Sequence, residues 1–135
     1  MSAFKPKEVP VTASMAELPL FLLVSCICFG LASVTGWIMA LKHFDDKPLP
    51  PLFTAVHGLC SLAGLAALGW AVFAVGAKGY PILALLFFVI AFGDGTLLLA
   101  FHVMKKKHPS LAIIGHGAMA AQAVAVLVLA TMMST

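Results

Sequence analysis

The stretches HFDDKPLPPLFTAVHG, residues 43–58, and HVMKKKHPSLAIIGHG, residues 102–117, share one pattern: a histidine, thirteen further residues and a His-Gly pair. Each has a proline at its centre, Pro50 or Pro109, and each lies between two long apolar runs. Proline suits the first turn of a helix, where its missing N–H costs nothing. We therefore interpret the two stretches as the turns of two helical hairpins, with each proline in the first turn of the second helix.

The composition is that of a membrane protein. Hydrophobic residues make up 62% of the chain and charged residues 10%, whereas a soluble domain carries about 25% charged residues. A bilayer core needs about 20 helical residues, and four runs are long enough. They are Leu18–Leu41, Leu52–Val75, Tyr80–Met104 and Leu111–Met133. The sequence predicts an all-α membrane protein, a four-transmembrane-helix bundle over residues 18–135. Residues 1–17 are a polar N-terminal tail, in which Ser14 and Glu17 fit a capping box that begins the first helix.

The two halves of the transmembrane domain repeat each other. A shift of 59 residues aligns them without a gap and pairs Phe29 with Phe88, Gly36 with Gly95, His43 with His102, Pro50 with Pro109 and His57 with His116. The first repeat covers about residues 18–75 and the second about 80–135. Because each repeat has an even number of spans, both keep the same orientation and are related by an axis along the membrane normal. We expect two tandem hairpins with pseudo-twofold symmetry.

Lysines predict the orientation. Five lie at the two histidine-bearing turns, three lie at the opposite end, and the chain has no arginine. The five are Lys42, Lys47, Lys105, Lys106 and Lys107. The positive-inside rule then puts both turns on the cytoplasmic side of the inner (cytoplasmic) membrane. The net charge of +3 gives no basic face for nucleic acid.

Four histidines are the candidate functional residues. His43 and His102 lie at the ends of their helices, whereas His57 and His116 lie seven residues after the prolines, about 10 Å into the next helix. We expect all four imidazoles in one slab near the turns. His57 and His116 are the stronger candidates, because polar side chains within apolar membrane segments are costly and tend to be functional. His108, beside the lysine run, is interpreted as a solvated turn residue.

Small residues share the helix faces of the histidines. In the second helix the stripe is His57, Ser61, Gly64, Leu68 and Ala71, and in the fourth it is His116, Ala120, Ala123, Leu127 and Ala130. Such faces let helices approach closely or leave room for a large, flat ligand.

This pattern resembles that of membrane b-type cytochromes, in which histidines from facing helices ligate haem iron. The resemblance implies one or two haem b groups, held by His43 with His102 or by His57 with His116. It implies that glycines make space for the macrocycle, and that lysines meet the propionates. The glycines are Gly36, Gly58, Gly95 and Gly117, and the lysines are Lys42, Lys47 and Lys105 to Lys107. The implied function is electron transfer within a larger respiratory or redox complex, with other membrane redox subunits or quinone as partners.

Asp94 is the one acidic residue inside the predicted spans. A carboxylate there costs about 3 kcal/mol on insertion scales unless it is paired or protonated. It could serve in a proton relay, contact quinone or hydrogen-bond a cofactor. It could equally be a protonated group bonded to Ser33, Thr35 or Gln122 across the bundle. The sequence leaves these interpretations open.

Two other function classes also stay open. Imidazoles suit Zn, Cu, Fe or Ni, so the histidines could serve a metal-ion or proton transporter. The outer halves of the spans offer only Cys26, Cys28 and Ser25 as polar groups, which supports a full transport path poorly. Alternatively, the chain is a cofactor-free structural or assembly subunit, and it could be oligomeric. The absence of paired catalytic carboxylates favours an electron carrier or complex subunit over a stand-alone enzyme.

Overall fold

The computed structural model describes residues 11–134, with side chains from residue 16 onward. Four helices make up this part of the chain: α1 is Val11–Phe44, α2 is Pro51–Phe73, α3 is Tyr80–Val103 and α4 is Ser110–Met132. All four are long and apolar enough to cross a membrane, since 23 helical residues extend about 35 Å. The prediction of an all-α four-helix bundle is confirmed, and the four spans support a multi-pass integral membrane protein.

The first helix begins earlier than the sequence predicts. It begins at Val11, three residues before the capping-box residue Ser14, so the described part of the predicted 1–17 tail is helical. Residues 1–10 of that tail lie outside the described residues. Helix α1 continues through Pro19 and ends at Phe44, so it is the longest of the four.

The helices form a four-sided bundle made of two hairpins. Helix α1 packs against α2 and α4, and α3 packs against the same two helices. Helices α1 and α3 therefore lie diagonally across the bundle, as do α2 and α4. The equivalent residues Phe29 and Phe88 meet across the first diagonal, with ring centroids 3.5 Å apart and planes within 4° of parallel. This contact on the bundle axis joins two repeat-equivalent residues, as a pseudo-twofold axis between the repeats requires.

The core lies on the side of the histidines away from the turns. Its buried cluster is Leu22, Phe29, Leu68, Ala71, Ala84, Phe88, Ala123 and Leu127. The stripe residues predicted for α2 and α4 therefore do face the interior. Gly64 is needed for this packing, because a Cβ there would lie 2.9 Å from Cε2 of Phe29. A side chain at Gly64 would push the two stacked rings off the axis.

Both histidine-bearing turns use the same helix ending. The Lys47 N–H donates to the Lys42 carbonyl at 2.8 Å, and Asp46 is left-handed with φ 52°. This is a Schellman ending, in which a left-handed residue lets later N–H groups bond back to the last turn. The second turn repeats it, with φ 52° at Lys105 and the equivalent bond at 3.0 Å.

Pro50 and Pro109 lie just before the first turns of α2 and α4, one position earlier relative to the helix than predicted. Pro50 and Pro109 are the N-caps of α2 and α4, with extended backbone, rather than members of the first helical turn. Pro51 takes the first helical position of α2, and Ser110 that of α4. The extended conformation of Pro50 and Pro109 redirects the chain from the end of one helix into the next.

Candidate functional site

His57 and His116 face each other across the bundle axis. They come from the diagonal helices α2 and α4, and their ring centroids are 6.0 Å apart with the planes at 64°. Both side chains are half-buried. Of the two pairings that the sequence allows across the axis, this one is therefore present in the structure.

A backbone carbonyl holds each imidazole from within its own hairpin. The His57 Nδ1–H donates to the Ala32 carbonyl at 2.8 Å, and the His116 Nδ1–H donates to the Ala91 carbonyl at 2.8 Å. A carbonyl oxygen can only accept, so the proton is on Nδ1 of both rings. In a neutral imidazole this leaves Nε2 with a free lone pair, as a metal ligand requires.

Gly36 and Gly95 make this arrangement sterically feasible. A Cβ at Gly36 would lie 2.9 Å from Cε1 of His57, and a Cβ at Gly95 would lie 3.1 Å from Cε1 of His116. Both glycines were expected to make space for a macrocycle. In the structure their open space is filled by the imidazoles, because each ring must approach the helix backbone to reach its carbonyl.

Gly58 and Gly117 have no such role. Both are exposed, and a Cβ at either position would meet nothing within 4 Å. Each follows its histidine by one residue, and one residue turns the direction of a helix by about 100°. They were predicted to bind the cofactor, but they point away from the histidine pair.

The remaining histidines form a second layer at the end of the bundle that carries residues 45–50 and 104–109, hereafter the turn end. Gly36, beside His57, lies seven residues before His43 on α1, about 10 Å along the axis. The predicted single slab is therefore two layers. The His108 ring contacts both of the others, with centroids 5.9 Å from His43 and 6.0 Å from His102.

His108 is the residue whose position the sequence did not reveal. It has Leu49 as its counterpart in the first repeat, so the repeat gave no signal for it. Burial lowers its pKa below the ordinary 6.5, and the nearby His102 and His43 lower this pKa further because like charges repel. His108 is therefore a neutral, half-buried member of the turn-end layer rather than a freely solvated residue.

A pocket of about 520 Å³ opens at the turn end. Of the predicted propionate partners, Lys47, Lys105 and Lys106 line it together with Lys107, whereas Lys42 does not. The distance from Gly36 to the end of α1 at Phe44 is roughly 12 Å along the helix, so these lysines lie well beyond the histidine pair.

Asp94 faces outward from α3. Its side chain is exposed, and within the described residues its carboxylate has no hydrogen-bond or ion-pair partner. The hydroxyls of Ser33 and Thr35 bond to carbonyls of their own helix, at 2.8 and 3.0 Å, and Gln122 is exposed. The hydrogen bond across the bundle that one interpretation required is not formed.

The donor set of the histidine pair limits which group it could hold. Each ring could offer its Nε2 atom as one ligand. Within the described residues no group of three or more His, Cys, Asp or Glu side chains could hold a metal ion. A structural zinc site needs four ligands, whereas a haem would need only one or two from the protein, which His57 and His116 could supply.

Thr54 adds a second observation in favour of a ligand. Its side-chain oxygen is buried and has no hydrogen-bond partner in the part of the chain that the structure describes. Thr54 precedes His57 by three residues, so it lies on the same face of α2, one turn nearer the turn end. A ligand between the histidines that extends toward the turns would give this hydroxyl a partner.

Comparisons of the chain with protein-family models, curated proteins and solved structures find no match.

Proposed function

We propose that this chain is a membrane-embedded electron-transfer protein that binds haem b through His57 and His116. The observation that carries the proposal is the geometry of this pair: two imidazoles 6.0 Å apart on the bundle axis, each with Nδ1 bonded to a carbonyl. Two facing neutral imidazoles are the axial ligands of many electron-transfer haems. When bound, the haem iron supplies a one-electron couple between the ferric and ferrous states.

The chain's own residues prepare the ligands. The Ala32 and Ala91 carbonyls fix the tautomer and orientation of each ring and raise its basicity as a ligand. Gly36 and Gly95 let the rings reach these carbonyls, and the apolar core below shields the site from water on that side. Because both hydrogen bonds exist within single hairpins, each repeat presents one ligand independently.

One haem is proposed rather than two. A second haem on His43 and His102 would need those rings on either side of one iron, about 6 Å apart. In the structure each of those rings instead contacts the His108 ring, at centroid distances of 5.9 and 6.0 Å. The turn-end histidines are therefore assigned no iron.

The stacked rings of Phe29 and Phe88 count against transport through the bundle. They close the axis at a centroid separation of 3.5 Å, within the buried cluster described above. Within the described residues, a metal ion or proton that reached His57 from the turn end would meet few polar side chains beyond it. Two of them, Ser61 and Ser25, donate their hydroxyls to carbonyls of their own helices.

We place both turns on the cytoplasmic side, because the sequence carries five of its eight lysines at the two histidine-bearing turns. Connections of a few residues leave little room for a redox site outside the membrane, so the electron partner is quinone or another membrane subunit. Asp94, exposed and unpaired within the described residues, is the group on the outer surface best suited to hydrogen-bond such a partner or pass it a proton.

The test is the spectrum of the purified chain. We expect haem b by the pyridine haemochrome assay and a low-spin spectrum, both lost in the His57→Ala, His116→Ala double variant. The matched control is the His43→Ala, His102→Ala double variant, which also removes two repeat-related imidazoles and should keep the spectrum. Colourless protein from haem-replete cells would reject the proposal. Metal analysis of that colourless protein would then separate a metal transporter from a cofactor-free subunit.

A further inference from the structure

The turn end carries a concentration of positive charge that the histidine pair does not use. Four lysines line its pocket, Lys47 and Lys105 to Lys107, against one carboxylate, Asp46. Lys47 is paired with Asp45 at 2.9 Å. In the described part of the chain, Lys105, Lys106 and Lys107 have no carboxylate partner. Like charges so close together repel, so an anion in the pocket would stabilise the turn end.

Histidine side chains in the pocket also favour an anion. His43, His102 and His108 line it beside the lysines, and His108 is within 6.0 Å of both other rings. Neutral imidazoles can donate hydrogen bonds, and protonated ones add charge. The pocket therefore combines exposed cationic groups with half-buried hydrogen-bonding rings.

We propose that the turn-end pocket binds a phosphate group, held by Lys105, Lys106 and Lys107 with the His102 and His108 rings. Phosphate is favoured because its several acceptor oxygens can each meet a separate lysine ammonium group, and lysines bind phosphate as point charges. The volume of about 520 Å³ accommodates such a group with its substituents. Helix ends of a membrane bundle lie at headgroup depth, where basic pockets bind anionic lipid headgroups.

The phosphate can come from a phospholipid headgroup or from solution, and two arms of one experiment separate these sources. In the first arm, native mass spectrometry measures retention of phosphatidylglycerol against phosphatidylcholine on the detergent-purified full chain. In the second arm, inorganic phosphate is titrated calorimetrically in neutral detergent. Preferential retention of phosphatidylglycerol identifies a headgroup site. Phosphate binding without that preference identifies a site for free phosphate.

Variants locate the site. The Lys105→Gln, Lys106→Gln, Lys107→Gln triple variant should weaken binding by on the order of 100-fold, because three cationic contacts are lost. Lys78→Gln, at the opposite end of the bundle, is the matched control and should bind normally. Circular dichroism of both variants confirms that the helices are intact.

Three results would overturn the proposal: no binding in either arm, an equal loss in the Lys78→Gln control, or displacement of the bound phosphate when haem is loaded. The last result would show that the lysines meet the haem propionates instead. The His57→Ala, His116→Ala double variant should keep phosphate binding, because the two sites are separate. The experiments can therefore reject the phosphate site while the haem proposal stands, or reject the haem proposal while the phosphate site stands.

Discussion

At the scale of single residues, the site depends on glycines that admit a side chain from the neighbouring helix. Gly36 lets His57 reach the Ala32 carbonyl, whereas Gly58, directly after His57, has open space around it. Gly58 is next to His57 in the sequence, and Gly36 is next to the His57 ring in space. The sequence alone assigned both glycines the same role, that of making space for a cofactor. Only the packing of α1 on α2 distinguishes them, because it decides which glycine faces the ring.

We predict that Gly36→Ala and Gly58→Ala have opposite effects. A methyl group at residue 36 would lie 2.9 Å from the His57 ring, and overpacking of this kind costs about 1–3 kcal/mol. The variant should also release the His57 hydrogen bond and lower haem content. Gly58→Ala should raise helix stability by about 0.5–1 kcal/mol and leave the site intact. Unfolding in detergent measures both. Equal effects of the two substitutions would argue against the assigned role of Gly36.

His108 should make the bundle less stable in mild acid. Its pKa in the folded protein is below 6.5 because of burial and the repulsion of His102 and His43, so the unfolded chain binds the proton more readily. The contribution of His108 to the unfolding free energy is therefore fully present above pH 6.5. It is lost as the pH drops from 6.5 toward the lower pKa of the folded protein. His108→Asn should flatten this part of the stability–pH curve. An unchanged curve would mean that His108 is as solvated as the sequence suggested.

At the scale of elements, the two hairpins obey the same local rules. The repeat predicted the helix boundaries to within about two residues for α2, α3 and α4, because apolar length and turn composition set them locally. The helix periodicity put His57 and His116 on inward faces but left two pairings open, His57 with His116 or His43 with His102. The place of His108 in the turn-end layer could not be predicted. It depends on the left-handed backbone at Lys105, and a lysine in the sequence does not indicate that conformation.

That left-handed lysine gives a prediction for the turn. A side chain at positive φ costs about 1–2 kcal/mol, and glycine avoids this cost. Glycine also raises the entropy of the unfolded chain, which offsets part of the gain. Lys105→Gly should therefore stabilise the second hairpin by about 1 kcal/mol or less. Lys107→Gly is the control, because Lys107 does not have positive φ, and it should be neutral or slightly destabilising. Unfolding curves of the haem-free chain compare the two. If Lys105→Gly destabilises the chain, the second turn does not have this ending.

At the scale of the whole molecule, the interior obeys the pseudo-twofold symmetry and the outer surface does not. Equivalent core positions carry identical or similar residues, such as Leu68 and Leu127, both fully buried. Equivalent exposed positions differ: Val34, Trp37 and Leu59 in the first repeat correspond to Gly93, Thr96 and Ala118 in the second. Both halves nevertheless expose large apolar residues, as a lipid-facing surface requires, and Asp94, whose counterpart is Thr35, is confined to the second repeat.

Asp94→Leu tests whether that carboxylate belongs to the outer surface. Removing one partner of a buried ion pair costs about 3–5 kcal/mol, but Asp94 is exposed and has no ion-pair partner among the described residues. We therefore expect Asp94→Leu to leave the unfolding free energy of the isolated bundle unchanged or higher, with normal haem content. Thr35→Leu, at the equivalent position of the first repeat, is the control and should also be mild. A loss of several kcal/mol in Asp94→Leu alone would mean that Asp94 is bonded within the bundle.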